Sequence, residues 1–356
     1  MKLLSQPTLA DSICDIRARK IKKVFFTQIN TLLDWDSISL TIDQYYKKGT
    51  SVIGHPSYDG LLLFKMCLLQ TWYGLSDYEV EDSVNDRISF SYFCGLNIDQ
   101  VAPDHSTISR FRTALTKAGA YDSIFQEINR QLESHQIIVK KGLIVDASVI
   151  DTPLRPKGKK THEVTEDRSE KEVTEDRSEN EVTIEKKYSD SVDKDGTWLK
   201  KRGKYHFGFK KHYVTDNEGL VLGVLTTTAS KNEISNLEEV LDTINVDLPK
   251  NIALKADKGY QSKKNRELLK ARELKDHILK KAYKNKALTH WEKKFNKLIG
   301  KTRFKVERTF GGIKKWFNGG QARYRGLKKM HTQNIMEAMC YNLYRSPGII
   351  ASNCEY

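Results

Sequence analysis

Three carboxylates occupy positions that suit phosphodiester chemistry. Asp146 interrupts the apolar run Gly142 to Ile150, where an ionised group is costly unless it is paired or holds a cation. Asp257 ends the alternating stretch Ile252, Leu254, Ala256, just before Lys258 and Gly259, the kind of strand end where α/β sheets carry functional groups. Glu307 lies where Val306, Phe310, Ile313 and Phe317 recur at helical spacing, which puts Arg303, Glu307, Gly311 and Lys314 on a neighbouring face. Three hard oxygen donors can hold two Mg2+ ions roughly 3.5–4 Å apart, one at the attacking and one at the leaving oxygen of a phosphoryl transfer. Mn2+ is expected to substitute, and no organic cofactor or covalent nucleophile is needed. Taken singly, each acid also reads as a structural group or a surface ion pair. Asp151 competes for a role but stands at the strand's end before Thr152-Pro153, and His206 and His212 lack a third ligand and read as edge-strand histidines.

The elements that must gather these acids alternate in period. Residues 1 to about 136 read as helical: Asp59 to Tyr73 is apolar enough to be buried, and Ser76-x-x-Glu79 is a capping-box pattern. Pro103 to Leu115 starts another helix, on which Ser106, Thr107 and Arg110 share a face, with Arg112 following. Short polar groups with Arg on one face suit phosphate and base-edge contacts, as in a helix-turn-helix around 103–115, and equally suit the outside of a bundle. Beyond Lys140 the pattern turns to strands: Gly142–Ile150, a hairpin from Tyr205 to Thr228, a helix capped by Asn232, a strand to Ala256, a basic helix from Lys263 and a strand His277–Lys280. That order predicts a mixed α/β sheet flanked by helices, not a doubly wound one.

Charge points to the partner. The chain has 356 residues, 60 Lys and Arg and 46 Asp and Glu, a net charge of +14. From Lys255 to Lys329 there are 25 bases against 6 acids, a surface suited to phosphate backbones. A polar stretch at 152–204 runs the other way, with the tandem repeat EVTEDRSEK (Glu163–Lys171) and EVTEDRSEN (Glu172–Asn180). It reads as a tolerated acidic insertion with no catalytic role. Five scattered cysteines without a CxxC exclude a zinc module and a disulfide framework, so a reducing cytoplasm is expected. The longest apolar run, Leu61–Leu69, is broken by Lys65, and Lys2 has no apolar stretch behind it. Neither a membrane span nor a secretory signal is expected.

The chain resembles the DDE transposases of bacterial insertion sequences, most closely the insertion-sequence-five group. The motifs are PDHSTISRFR (Pro103–Arg112), LIVDASVIDTP (Leu143–Pro153), YHFGFKKHYVTD (Tyr205–Asp216), ADKGYQS (Ala256–Ser262), RFKVERTFGGIK (Arg303–Lys314) and ARYRGLKK (Ala322–Lys329). The resemblance implies an RNase H-like catalytic domain over 140–347, a DNA-binding helical region over 1–136 and a tail at 348–356. It makes Asp146, Asp257 and Glu307 the metal-binding triad. Arg303, Lys314 and Lys258 then hold phosphates, and Tyr324 and Arg325 lie on a loop that contacts DNA. The family's last signature begins with a Tyr three residues before the Arg; here that position is Gly300, and a helix beginning there is expected.

The implied reaction is hydrolysis at the element's ends followed by attack of the freed 3′-hydroxyl on target DNA, without ATP. The implied partners are terminal inverted repeats and target DNA, bound by a homodimer or larger assembly at the nucleoid. Two other readings share parts of the pattern: an RNase H-like endonuclease that cuts without joining, and a domesticated, inactive DNA-binding copy.

Overall fold

The computed structural model describes residues 20–46, 57–97, 99–156, 191–201, 203–244, 246–283 and 287–354; the tandem acidic repeat lies outside them. Seven helices come first among the described residues: α1 (Lys20–Leu32), α2 (Trp35–Tyr45), α3 (Gly60–Tyr73), α4 (Asp77–Asp86), α5 (Ile88–Cys94), α6 (His105–Ala118) and α7 (Ala120–Ser134). Their starts are written in capping chemistry. Ser76 and Glu79 close both arms of a capping box on α4, and the Asp104 carboxylate takes the Thr107 N–H at α6. α3 is buried on nearly every side, Lys65 included. The Lys65 ammonium lies 4.3 Å from the centre of the Trp35 ring, and burial lowers its pKa to about 8.

Among the described residues six strands follow: β1 (Leu143–Asp151), β2 (Thr197–Lys201), β3 (Lys204–Thr215), β4 (Val221–Thr228), β5 (Ala253–Ala256) and β6 (Lys275–Ile278). β1 pairs antiparallel with β3, and β3 antiparallel with β4 and, through its first residues, with β2. On its other edge β1 runs parallel to β5, and β5 parallel to β6. The order β4-β3-β1-β5-β6, antiparallel on one side and parallel on the other, is the mixed sheet that the order of elements in the sequence predicts. Gly208 lets β3 pass the end of β1, since a Cβ there would run into the Ile150 carbonyl.

The helices of this half are α8 (Leu237–Asp242), α9 (Lys263–Ala271), α10 (His290–Phe317) and α11 (Leu327–Cys354), with 3-10 turns at Glu233–Ser235 and Lys258–Tyr260. Three differ from the sequence expectation. The helix after Asn232 is split into a 3-10 turn and the short α8. α10 starts at His290, where Thr289 and Glu292 form a second capping box, so Gly300 lies inside the helix and meets nothing that a Cβ would touch. α11 continues through Pro347 to Cys354, so residues 348–354 of the stretch read as a tail extend a helix, and the last two lie outside the described residues. Within the stretch read as an insertion, Thr197–Lys201 forms β2.

One hydrophobic core joins the two halves, running from Phe26 and Leu63 through Val145 and Leu254 to Met339. α11 packs on β4 and on α7, α3 and α6. The Trp72 indole donates to the Cys340 carbonyl across that seam. Lys211 of β3 is wholly buried against Glu337 of α11, 2.7 Å away, and also donates to the Gly319 carbonyl; such a buried charge needs these partners. Among the described residues no helix is long and apolar enough to cross a membrane.

Candidate active site

Parallel register brings two of the acids together. Val145 of β1 is paired with Ala256 of β5, and the next residue on each strand is Asp146 and Asp257. Neighbouring strands lie about 4.8 Å apart and successive side chains alternate faces, so both carboxylates leave the sheet on one side. Each also accepts a local N–H: Asp146 Oδ1 from Ala147 at 2.9 Å, Asp257 Oδ1 from Lys258 at 2.8 Å.

α10 lies over this edge and is fixed there by three contacts. Phe310 stacks on Tyr213 with ring centres 5.1 Å apart, Thr309 donates to the Gly219 carbonyl at 2.7 Å, and Lys305 pairs with Glu218 at 2.9 Å. The same face delivers Arg303 between the aspartates: its guanidinium is 3.2 Å from Asp146 Oδ2 and 3.3 Å from Asp257 Oδ1. Burial pushes the Asp146 carboxyl above the usual range, and Arg303 opposes that shift. A carboxylate in this setting gains from a cation beside it.

Glu307 is one turn beyond Arg303 on α10 and exposed. Among the described residues it has no hydrogen-bond or ion-pair partner, and no three His, Cys, Asp or Glu side chains stand close enough to hold a metal ion together. The structure therefore assembles Asp146 and Asp257 around Arg303 and leaves Glu307 outside that group. The chemistry of the pair still fits a hard divalent cation: carboxylate oxygens side by side, one of them desolvated. Two buried polar atoms nearby lack partners, Arg303 Nε and Tyr260 Oη.

The remaining sequence candidates divide. Lys314, on the same helix, is lowered by burial and by the charges of Lys211 and Lys201, with Asp151 opposing. Lys258 is exposed beside Asp257. Arg110 is exposed at the α6 surface and donates to Thr107 at 3.0 Å and to Ser106 at 3.4 Å, while Ser106 and Thr107 both donate to the cap residue Asp104. Arg112 turns inward: two 2.8 Å bonds join it to Asp77, and its guanidinium lies 4.7 Å from the centre of the Tyr324 ring. Burial raises the Tyr324 hydroxyl to about 12. Arg325 donates to the Val192 carbonyl at 2.6 Å. His206 pairs with Asp151 at 2.9 Å, and His212 is buried with Nε2 against Thr227.

One acid near the site escaped the sequence reading. Glu233, on the 3-10 turn after β4, pairs with Lys210 at 3.7 Å, and its charge adds to the upward push on Asp146. Its approach is tertiary, through the packing of the two 3-10 turns. No spacing in the sequence signals it.

Residues 138–343 match the family model "Transposase DDE domain", and residues 15–114 match "Transposase domain (DUF772)". The chain is 35% identical over 245 residues to the transposase for insertion sequence element IS1106 of Neisseria meningitidis serogroup B, covering 68% of this chain and 78% of that protein. Among solved structures it is similar to the piggyBac transposase synaptic complex with hairpin DNA, with a TM-score of 0.42 and 11% identity over 94% of this chain and 75% of that one. It is also similar to the Mos1 strand transfer complex, with a TM-score of 0.20 and 10% identity over 86% and 82%.

Proposed function

The chain belongs to the DDE transposase family, and from that premise we propose that Asp146, Asp257 and Glu307 are the carboxylates with which this insertion-sequence transposase cuts and joins DNA. The observation that carries the assignment is the Asp146–Asp257 pair, side by side on parallel strands and bridged by Arg303. Glu307 follows Arg303 by one turn of α10, on the helix that already reaches the pair through Arg303. Enzymes of this family use divalent metal ions; Mg2+, with Mn2+ substituting, is the choice that hard oxygen donors favour. When bound, such ions supply Lewis-acid activation of the attacking and leaving oxygens of a phosphodiester.

The protein's own residues bind and orient. Arg303, once released from the aspartates, offers a planar pair of N–H donors to a phosphate. Lys258, exposed beside Asp257, and Lys314, farther along α10, hold flanking phosphates as point charges. Arg110, with Ser106 and Thr107 beneath it, is the DNA contact assigned to the helical region at 1–136. The catalytic region is assigned to 140–347. Water attacks a phosphodiester at the element's terminal repeat and leaves a 3′-hydroxyl. That hydroxyl attacks target DNA in a transesterification that needs no ATP. The six motifs support membership of the insertion-sequence-five group, and pairing of two ends calls for a dimer or larger assembly at the nucleoid.

The test is incubation with DNA carrying the ends of the chain's own element, in Mg2+ or Mn2+, with cut and joined strands mapped. Cuts at the repeat boundary and joined products are expected. An Asp257→Ala protein that retains full activity overturns the assignment. Cutting without joining of a supplied 3′-hydroxyl end would make the protein an endonuclease, and binding without cutting a domesticated copy.

A further inference from the structure

The hairpin of β2 and β3 carries a surface that the catalytic assignment does not use. Its register sets Trp198 opposite Phe207 and Lys200 opposite Tyr205, and these four share one face of the ladder. Trp198 and Phe207 have ring centres 5.1 Å apart, and the Lys200 ammonium lies 5.2 Å from the centre of the Tyr205 ring. Phe207 is buried, yet Tyr205 is 65% and Trp198 44% exposed. The turn itself reads Lys200-Lys-Arg-Gly-Lys204, four cations in five residues. Along the hairpin runs an open cavity of about 710 Å³ lined by Arg155, Lys204, Tyr205 and Gln321, among others. The Asp151–His206 pair, joined at 2.9 Å, forms part of its wall.

Exposed aromatic rings interleaved with cations form the combination that binds unpaired nucleic acid, since every base offers a π-face and every nucleotide a phosphate. A basic protein partner would meet the wrong charge here. The cavity also opens at the end of the strand that bears Asp146. Five residues of extended chain separate Asp146 from Asp151, about 16 Å at strand rise, a reach of a few nucleotides. Lys314 and Lys201 lie within electrostatic range of each other, so cations continue from α10 to the hairpin.

We propose that the β2–β3 hairpin is the binding site for the unpaired DNA strand next to the cut end, with bases stacked on Tyr205 and Trp198 and phosphates held by Lys200, Lys204 and Arg155. Asp151 acts as a positioning residue that holds His206 at the cavity wall. The inference rests on the DNA-cutting reading above and adds the strand that this surface receives.

The test measures the affinity of the full-length protein for labelled element-end DNA in two forms, a blunt duplex and the same duplex with an unpaired flank. Wild type is expected to prefer the flanked form. Trp198→Ala with Tyr205→Ala should lose that preference about ten-fold or more, the scale of base stacking on aromatic rings, with blunt-duplex affinity unchanged. Trp198→Phe with Tyr205→Phe should keep it, which separates stacking from loss of fold. Lys200→Ala with Lys204→Ala should reduce the slope of log affinity against log salt by about 1.5 on the flanked DNA. An aromatic double variant that keeps the wild-type preference overturns the proposal while leaving the cutting assignment intact. A concentration-dependent dimer that dissociates in that variant, with the DNA preference unaltered, assigns the face to a second copy and also overturns it. Wild-type protein that binds neither DNA form removes this inference and the DNA-cutting reading together.

Discussion

The Arg303 guanidinium stands 3.2 Å from the Asp146 carboxylate and spans from it to Asp257 on the neighbouring strand. It lies between the two carboxylates, and its single positive charge offsets part of the repulsion between them.

Arg303→Ala should therefore lower the melting temperature in EDTA, because two neighbouring carboxylates lose their shared counter-charge. Added Mn2+ should raise the melting temperature of the variant more than that of wild type, since no guanidinium has to be displaced. Thermal melts with and without Mn2+ check this. An equal metal-induced rise in both proteins would contradict it.

Asp146→Asn and Asp257→Asn should each cut cleavage of end-bearing DNA by about 1,000-fold, the scale of losing several kcal/mol of charge stabilisation in the transition state. Binding of the same DNA without added metal should stay within a few-fold of wild type. Gel-resolved cleavage rates and fluorescence anisotropy measure the two quantities separately.

Arg112→Ala is expected to act on stability. Its side chain is only 12% exposed and is held by Asp77 through two parallel bonds, so removing it leaves a partly buried carboxylate with the Gln70 amide but without its counter-charge, at a cost of about 3 kcal/mol. Urea denaturation should show that loss. DNA affinity of the remaining folded protein should match wild type, whereas Arg110→Ala should weaken it.

His212 gives the fold an acid-sensitive point. Burial, with Lys210 and Lys231 adding to it, lowers its pKa to about 3, against about 6.5 in an unfolded chain. The unfolded state takes up the proton first as pH falls, so stability is complete above about pH 6.5 and declines towards pH 3. At pH 5 the loss is about 2 kcal/mol relative to pH 7. Urea midpoints at the two pH values test this, and His212→Gln should flatten the dependence over that window.

Much of the catalytic half was legible because its strands are apolar runs with clear ends. The carboxylates of β1 and β5 stood out as charges in or beside such runs. The buried stripe Val306, Phe310, Ile313 and Phe317 is the face by which α10 packs. The start of α10 lies upstream of Gly300, at the capping box that Thr289 and Glu292 write into the sequence. A lone Gly costs a helix about 1 kcal/mol, too little to end one that is packed along its length. β2 was hidden because it is only five residues long, beside a run of charges, and is stabilised by pairing with β3. The inward turn of Arg112 depends on Asp77 and Tyr324, and the approach of Glu233 on a turn packing. Neither arises from neighbours in sequence, so no local pattern could have carried them.

α11 is the last of the described elements, yet its Cys340 carbonyl receives the Trp72 indole and its Glu337 pairs with Lys211 in the middle of the sheet. The ribosome must thus release the chain through α11 before the helices of the first half acquire this wall. A gene copy interrupted by an early stop codon would yield a product with an open, sticky interior. Such a fragment is fit for degradation and ill suited to compete with intact protein for the element's ends.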